Sequence, residues 1–380
     1  MDQKNNGTNF CLINGKPTSN ISHQDRGLNY GDGLFETIAV SNNQAEFWHC
    51  HLQRLNYGCD KLNIARPNPQ LLHDEAKTLI GKQVSASLKI IITRGNSERG
   101  YKINQHNPPT RILSISPPSS SRLSENADFL QNKAKFGEKA QFTGVNEHFE
   151  PNFNAVLEER CVLGQTTRRL SENADFLQNK AKFGEKAQFT GVNEHFEPNF
   201  NAVLEERCVL GQPPTPNPAP LKHIQLTQCS TKLAHSCLAG IKHLNRLEQV
   251  LGRNEWDDAD FSEGLMQDHH GFFIEGVMSN FFIIKNQIFY TPDLSHCGVS
   301  GVMRSVVMWL IEHLKYSLVI TQLTEKDIRD ADEIFMCNCL MPIWSVEKFN
   351  HKTYQHSITT QLMHHFQQIN KYKNSYQWKR

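Results

Sequence analysis

No apolar run in this sequence approaches the roughly 18–20 residues that cross a bilayer. The longest it offers are short, such as FFII at 281–284, so no membrane association is expected. No excess of one charge is present either: 40 Lys and Arg stand against 39 Asp and Glu, a formal net charge of +1. A nucleic-acid binder normally carries a basic excess or stripe, so no nucleic-acid partner is expected. The opening MDQKNNGTNF lacks an apolar segment, and no secretory signal is expected. The 10 Cys are irregularly spaced, and the 18 His form no HExxH or CxxC…CxxC pattern. No linear metal motif results. The expectation is a cytoplasmic protein with reduced thiols and no metal site.

What the sequence does contain is an internal repeat. Residues 122–165 and 169–212 are identical letter for letter, separated only by Thr166, Thr167 and Arg168. Solenoid repeats diverge at faces and caps and need about three units to share a core. Two perfect copies fit a duplicated insertion better. Each copy mixes Asn, Glu, Lys, Gln and Gly with isolated Phe and Leu, so irregular or marginal order is expected. The flanks, SISPPSSS at 114–121 and PPTPNPAP at 213–220, have linker composition. The expected division is an N-terminal α/β domain over 1–118, a linker over 119–218 carrying the tandem insert, and a C-terminal domain over 219–380.

Both outer blocks read as mixed α/β. Asn14-Gly15 is a hairpin signal. Strands are expected at 34–40, 88–93 and 111–116, with a helix at 50–64 from the spacing of Leu52, Leu55, Cys59 and Leu62. In the second block a strand is expected near 224–226. A helix over 244–256 should present Leu244, Leu247, Val250 and Leu251 on one side. Hairpins are expected at His270-Gly271 and Lys285-Asn286, a helix at 301–315 and a strand at 333–337. The predicted fold class is α/β (α+β): a small N-terminal α/β sandwich and a barrel-like C-terminal sheet with helices outside.

Three segments carry candidate chemistry. In LAGIKHLNRLEQV (238–250) Lys242 stands between a Gly turn and an apolar-periodic stretch. A lysine held there can bond covalently to an aldehyde if burial or nearby cations lower its pKa; it can equally be a solvated lysine near a helix start. In IEGVMSNFFII (274–284) Glu275 precedes an apolar strand. A buried carboxylate needs a partner, and a pyridinium nitrogen or an Arg would serve, as would plain exposure in a turn. In GVSGVMR (298–304) small residues lead into a helix, whose first N–H groups suit a phosphate. A lysine, a carboxylate and a phosphate cradle are the three anchors of a pyridoxal-phosphate site.

LAGIKHLNRLEQV resembles the lysine motif of the aminodeoxychorismate lyases, a family of fold-type IV pyridoxal-phosphate enzymes related to the branched-chain and D-amino-acid aminotransferases. DRGLNYGDGLFETI (25–38), HLQRL (51–55), TRGNSERGY (93–101), EGVMSNFF, GVSGVMR and CNCLMPI (337–343) resemble the family's other motifs, in its order. The resemblance covers about 9–117 and 221–350, and the insert has no counterpart in it.

The resemblance implies a fold-type IV fold, pyridoxal 5'-phosphate as cofactor, and conversion of 4-amino-4-deoxychorismate to 4-aminobenzoate and pyruvate in folate biosynthesis. It implies that Lys242 holds the cofactor covalently and moves the substrate Cα proton. Glu275 would pair with the ring nitrogen. Arg54 would bind the phosphate with backbone N–H groups of Val302 and Met303, and Asn338 would line the cofactor pocket. Tyr30, Arg94, Arg99 and Tyr101 would face the substrate, with Arg holding its carboxylates. Thr37 or Lys242 would manage the proton of the leaving step. A homodimer is also implied. Two alternatives stand beside it: an aminotransferase of the same fold acting on branched-chain or D-amino acids, and a non-catalytic protein inactivated by the insert.

Overall fold

The computed structural model describes residues 11–97, 100–103, 107–117, 223–257 and 261–373. Arg99 and the whole repeat, 122–212, lie outside the described residues.

Strict alternation along the N-terminal block builds a six-stranded antiparallel sheet. Its strands are β1 (Cys11–Ile13), β2 (Lys16–Pro17), β3 (Gly33–Ser41), β4 (Gln44–Ala45), β5 (Ser85–Thr93) and β6 (Thr110–Ser116), in the order β2-β1-β6-β5-β3-β4. Asn14 and Gly15 turn the first hairpin with φ of 50° and 78°, the left-handed pair that a two-residue turn requires. A short helix, α1 (Arg26–Tyr30), precedes β3; α2 (Trp48–Leu62) and α3 (Pro69–Ile80) follow β4. Leu34, Ile38 and Val40 of β3 and Leu88, Ile90 and Ile92 of β5 are buried, the period of two that places them on one face. They pack against Leu55 and Cys59 of α2 and Leu72 and Ala76 of α3. One face of the sheet is thus the core.

The C-terminal block forms a nine-stranded sheet from β7 (Ile224–Leu233), β8 (Glu263–Asp268), β9 (Phe273–Gly276), β10 (Asn280–Lys285), β11 (Ile288–Pro292), β12 (Leu318–Thr321), β13 (Glu333–Cys337), β14 (Trp344–Phe349) and β15 (Lys352–Thr353). The order is β12-β11-β10-β13-β14-β7-β8-β9, with β15 beside β14. Its two ends approach each other, since the Phe273 N–H donates to Leu323 O at 2.8 Å. The sheet therefore curls into a half-barrel. Its helices are α4 (Leu247–Arg253), α5 (Val302–His313), α6 (Glu325–Asp330) and α7 (Ser357–Lys373). Strand β10 explains its own sequence. Phe281 and Ile283 enter the barrel interior, while Phe282 and Ile284 meet Met303, Val307 and Leu310 of α5. A strand buried on both faces reads as an unbroken apolar run.

The mixed α/β class and the half-barrel match the expected fold. One helix departs from expectation. Instead of 244–256, α4 covers only Leu247–Arg253, and Leu247, Val250 and Leu251 are 76, 51 and 60% exposed. The helix meets the sheet through Gly252, where an added Cβ would lie 3.2 Å from Met266 Cε and 3.3 Å from Val277 Cγ2. Its apolar stripe is left facing outward. The turn expected at Lys285-Asn286 falls one residue later, at Asn286 and Gln287 with φ of 51° and 62°. Among the described residues no helix is long and apolar enough to cross a membrane.

Candidate active site

Lys242 is fixed by backbone before its side chain does anything. Gly240, at φ +83°, turns the chain in a conformation that favours glycine. The Gly240 N–H donates to Gly298 O at 2.9 Å, and the Ser300 N–H returns to Gly240 O at 3.1 Å. Residues 242–244 then run along the free edge of β3. The Phe35 N–H donates to Lys242 O at 2.9 Å, and the Leu244 N–H to Gly33 O at 3.0 Å. This edge pairing is why α4 starts late. The Lys242 Nζ stands 4.4 Å from the centroid of the Phe35 ring. Burial, then the charge of Arg54, push its amine down from the ordinary lysine value to about 8, with Glu36 pulling the other way.

Glu36 is the hidden counterion of this centre. It sits on the core face of β3, 1% exposed. Arg54 of α2 grips it twice: Nε donates to Oε1 at 2.8 Å, and Nη2 donates to Oε2. His51, one helical turn earlier, places Nδ1 2.6 Å from Oε2. Burial works against the charge of Glu36, but Arg54 and His51 hold its carboxyl down at about 2. Burial likewise opposes a proton on His51, yet Cys339 and Glu36 keep it up to about 9. The Cys339 thiol is drawn down by His51 and Arg54 against its own burial. Two cations share the one Glu36 carboxylate, so Glu36 by itself leaves positive charge over, beside the Cys339 sulfur.

That surplus faces a helix start. Arg54 Nη1 donates to Ser300 O at 3.2 Å, immediately before the N-cap Gly301 of α5. Val302 and Met303 open the helix and are buried. The first N–H groups of a helix have no intrahelical acceptor and carry the positive end of its dipole. Gly301 keeps the approach tight, since an added Cβ would fall 2.1 Å from Asn280 Oδ1.

Glu275, at the turn end of β9, closes the other side. Its Oε2 accepts the Val299 N–H at 2.8 Å, and its Oε1 accepts Gln249 Nε2 at 3.4 Å. Burial raises its pKa, while Arg246, Val299 and Lys242 oppose the rise. The carboxyl has no close cationic hydrogen-bond donor among the described residues, and Gln249 Oε1 is buried without a partner.

The fold thus gathers Lys242, Arg54, Glu275, Val302 and Met303. The other expected site residues divide. Thr37 lies on the face of β3 that also presents Phe35, opposite to that of Glu36, and pairs with Lys89 across to β5. Tyr30 and Tyr101 face each other at 5.5 Å. They line an open groove of about 450 Å³ with Arg26, Asp32, His243 and Asn245, next to the lysine segment. Arg94 departs from expectation. Its Nε and Nη2 donate to Asp32 at 2.7 and 2.9 Å, and its Nη1 and Nη2 to the carbonyls of Asn63 and Leu62. Four of its five N–H donors are thus committed within the protein, and its charge is met by Asp32. The Asn338 Oδ1 accepts from the N–H groups of Leu340 and Met341 at 2.9 and 2.8 Å, an Asx-type turn. Its neighbour Cys339 is the residue that reaches His51 and Arg54.

Sequence reasoning missed Glu36, His51, Arg246, Cys339 and His243. Glu36 had a signal: in LFETIAV it takes an inward position between Leu34 and Ile38, where a lone carboxylate demands a cation. His51 and Arg54 lie three apart on one helix, hence on one face. Cys339 and His243 had none.

Comparison with known proteins adds to this geometry. The family model for class IV amino-transferases matches residues 33–145 and 205–349. The match enters the repeat from both ends, so the unmatched stretch is 146–204 and not the whole of 122–212. The aminodeoxychorismate lyase of Vibrio harveyi is 26% identical over 332 residues, 87% of this chain and 88% of that protein. A branched-chain-amino-acid aminotransferase of Pseudomonas aeruginosa is 30% identical over 89 residues, 23% of this chain and 29% of that protein. Among solved structures, the 4-amino-4-deoxychorismate lyase from Pseudomonas aeruginosa superposes with a TM-score of 0.65 at 28% identity, covering 94% of this chain and 98% of that one. The branched-chain aminotransferase of Escherichia coli gives 0.63 at 16% identity, covering 95% and 94%, a likeness of fold.

Proposed function

The chain belongs to the class IV amino-transferases, and from that premise we propose that it is a pyridoxal-phosphate-dependent 4-amino-4-deoxychorismate lyase. The observation that carries the reading is the full-length similarity to two lyases in a chain whose Lys242 amine is lowered to about 8.

The residues present fit pyridoxal phosphate. A primary amine with a depressed pKa suits an aldehyde. Arg54 beside the open N-terminus of α5 suits a phosphate. Glu275, buried and short of a cation, suits a protonated ring nitrogen. The cofactor, when bound, supplies an electron sink for the charge left as a proton leaves the substrate carbon.

This chain's own residues supply the rest. With its pKa lowered to about 8, the Lys242 amine is neutral far more often near neutral pH than an ordinary lysine, so Nζ can accept that proton and return it. Glu275 would face the ring nitrogen of the bound cofactor and favour a proton there. Glu36 keeps Arg54 and His51 in place without cancelling their charge. Thr37, on the face shared with Phe35, is the candidate to assist the leaving oxygen, and the Tyr30–Tyr101 groove is the candidate substrate entrance. The balance is internal: one C–H and one C–O bond break, the ring becomes aromatic, and 4-aminobenzoate and pyruvate leave with no oxidant or acceptor.

A homodimer is part of the proposal, supported by the exposed Leu247, Val250 and Leu251 beside the lysine segment. A cytoplasmic location is supported by the free thiols of all the described cysteines.

The test is incubation with 4-amino-4-deoxychorismate and no added 2-oxo acid. Equal release of pyruvate and 4-aminobenzoate is expected, with borohydride fixing the cofactor on Lys242. Transfer of an amino group from a branched-chain amino acid to a 2-oxo acid, without pyruvate from the chorismate derivative, would make the chain an aminotransferase.

A further inference from the structure

Two residues before Val299, whose N–H donates to Glu275, Cys297 joins a second cluster of ligand-type side chains. His235 lies two residues past β7, Asp268 is the last residue of β8, and Cys297 sits in the loop before α5. Their candidate ligand atoms all fall within 4.8 Å of one another. His235 Nε2 is 2.9 Å from Asp268 Oδ2. Asp268 and Cys297 are buried, and the His235 side chain is 36% exposed, which leaves a way in from solvent. Two more imidazoles stand at the rim: the rings of His270 and His296 lie 5.0 and 5.1 Å from that of His235.

We propose that His235, Asp268 and Cys297 form a binding site for a zinc-class divalent cation, with His270 or His296 as the fourth ligand.

The donor set argues for the metal. Imidazole, thiolate and carboxylate together suit zinc; a thiolate does not suit magnesium or calcium. Tetrahedral zinc holds N, O and S ligands roughly 3.3–3.6 Å apart, inside the span these atoms already cover, so side-chain rotation closes the site. Asp268 is braced for the task. Its Oδ1 accepts the N–H groups of His270 and Phe272, both at 2.9 Å, which leaves Oδ2 turned to the cluster. Such an outer hydrogen bond orients a metal-binding carboxylate. No linear motif announces the site, because its ligands come from three separate segments.

The location gives the cation a use. The Ser236 N–H donates to His296 O at 2.9 Å, the Gly240 N–H to Gly298 O at 2.9 Å, and the Val299 N–H to Glu275 Oε2 at 2.8 Å. A metal there would tie the strand end before Lys242, the β8–β9 turn and the loop that anchors Glu275 into one rigid wall. It would do so without touching the reacting atoms.

Co²⁺ titration of the full-length, untagged, cofactor-saturated protein, stripped beforehand with a chelator, tests the site. One Co²⁺ per chain is expected, with a near-ultraviolet thiolate-to-metal charge-transfer band. Zn²⁺ should displace it and raise the melting temperature. Cys297→Ser should lose the band, and Cys237→Ser, at an exposed thiol, should keep it. His235→Ala, at a partly exposed position, should weaken Co²⁺ binding tenfold or more. Absence of stoichiometric binding, or a band that survives Cys297→Ser, overturns the proposal. Unchanged affinity in His235→Ala overturns it even where the Cys297 variant fails to fold.

Discussion

Replacing Lys242 by Met should make the cofactor-free protein more stable, and the gain should vanish at high pH. Met keeps an unbranched apolar side chain of similar reach and removes the amine. Folding lowers that amine from 10.5 to about 8. Between those values the unfolded chain binds the extra proton, so stability rises with pH across that window. At pH 7, below that window, the protonated amine in the folded state carries its full cost, about 3.5 kcal/mol from about 1.4 kcal/mol per pK unit. The same linkage leaves about 1.4 kcal/mol at pH 9.5 and close to zero at pH 11. Glu275 and His243 feel the Lys242 charge and add a smaller difference at lower pH; groups remote from Lys242 cancel. Urea unfolding of both proteins at the three pH values, followed by tryptophan fluorescence, measures it. A variant no more stable than wild type at pH 7, or a gain that does not shrink with rising pH, would refute the account of Lys242 as a strained, partly neutral amine.

Glu36→Gln should destabilise the chain by about 3–5 kcal/mol, because Arg54 and His51 lose their shared buried counterion; urea unfolding reads it, and a change below about 1 kcal/mol would mean the triad is not the clamp described. Gly301→Ala should weaken pyridoxal-phosphate binding by tenfold or more with a stability loss of about 1–3 kcal/mol, since the new methyl meets Asn280 Oδ1; fluorescence titration of the cofactor checks it. Deleting 146–204, the stretch the family match leaves out, should preserve lyase turnover, because added connection length costs only about 0.6 kcal/mol per doubling; a dead deletion variant would give that stretch a function.

The fold was legible wherever burial acts on one face of an element. The alternation in β3 and β5 and the unbroken FFII of β10 each declare which sides are covered. Helix α4 was not legible, and the reason is instructive. KHLNRLEQVL has helical spacing, but residues 242–244 are captured by the edge of β3 through Phe35 and Gly33. A contact with a strand two hundred residues away outweighs local periodicity. The apolar stripe that survives in α4 faces outward, so the pattern was read correctly as apolar and wrongly as core.

The site divides along a similar line. Lys242, Glu275 and the start of α5 lie in contiguous motifs, and the fold sets them on neighbouring segments. What the motifs hide is how charge is apportioned among their arginines. Arg54 and Arg94 both sit in motifs that the resemblance rests on, yet one meets a carboxylate and still faces a helix start, while the other is enclosed by Asp32 and two carbonyls. The difference lies in the partner. Glu36 is shared with His51, so its single charge cannot neutralise both cations. Asp32 is shared with Arg26, but Arg94 also spends two donors on carbonyls at the end of α2, so four of its five N–H groups are bound within the protein. An arginine becomes an anion site only when its protein partner leaves charge over and its position leaves a face open. Neither condition is written in the arginine's own neighbourhood of sequence.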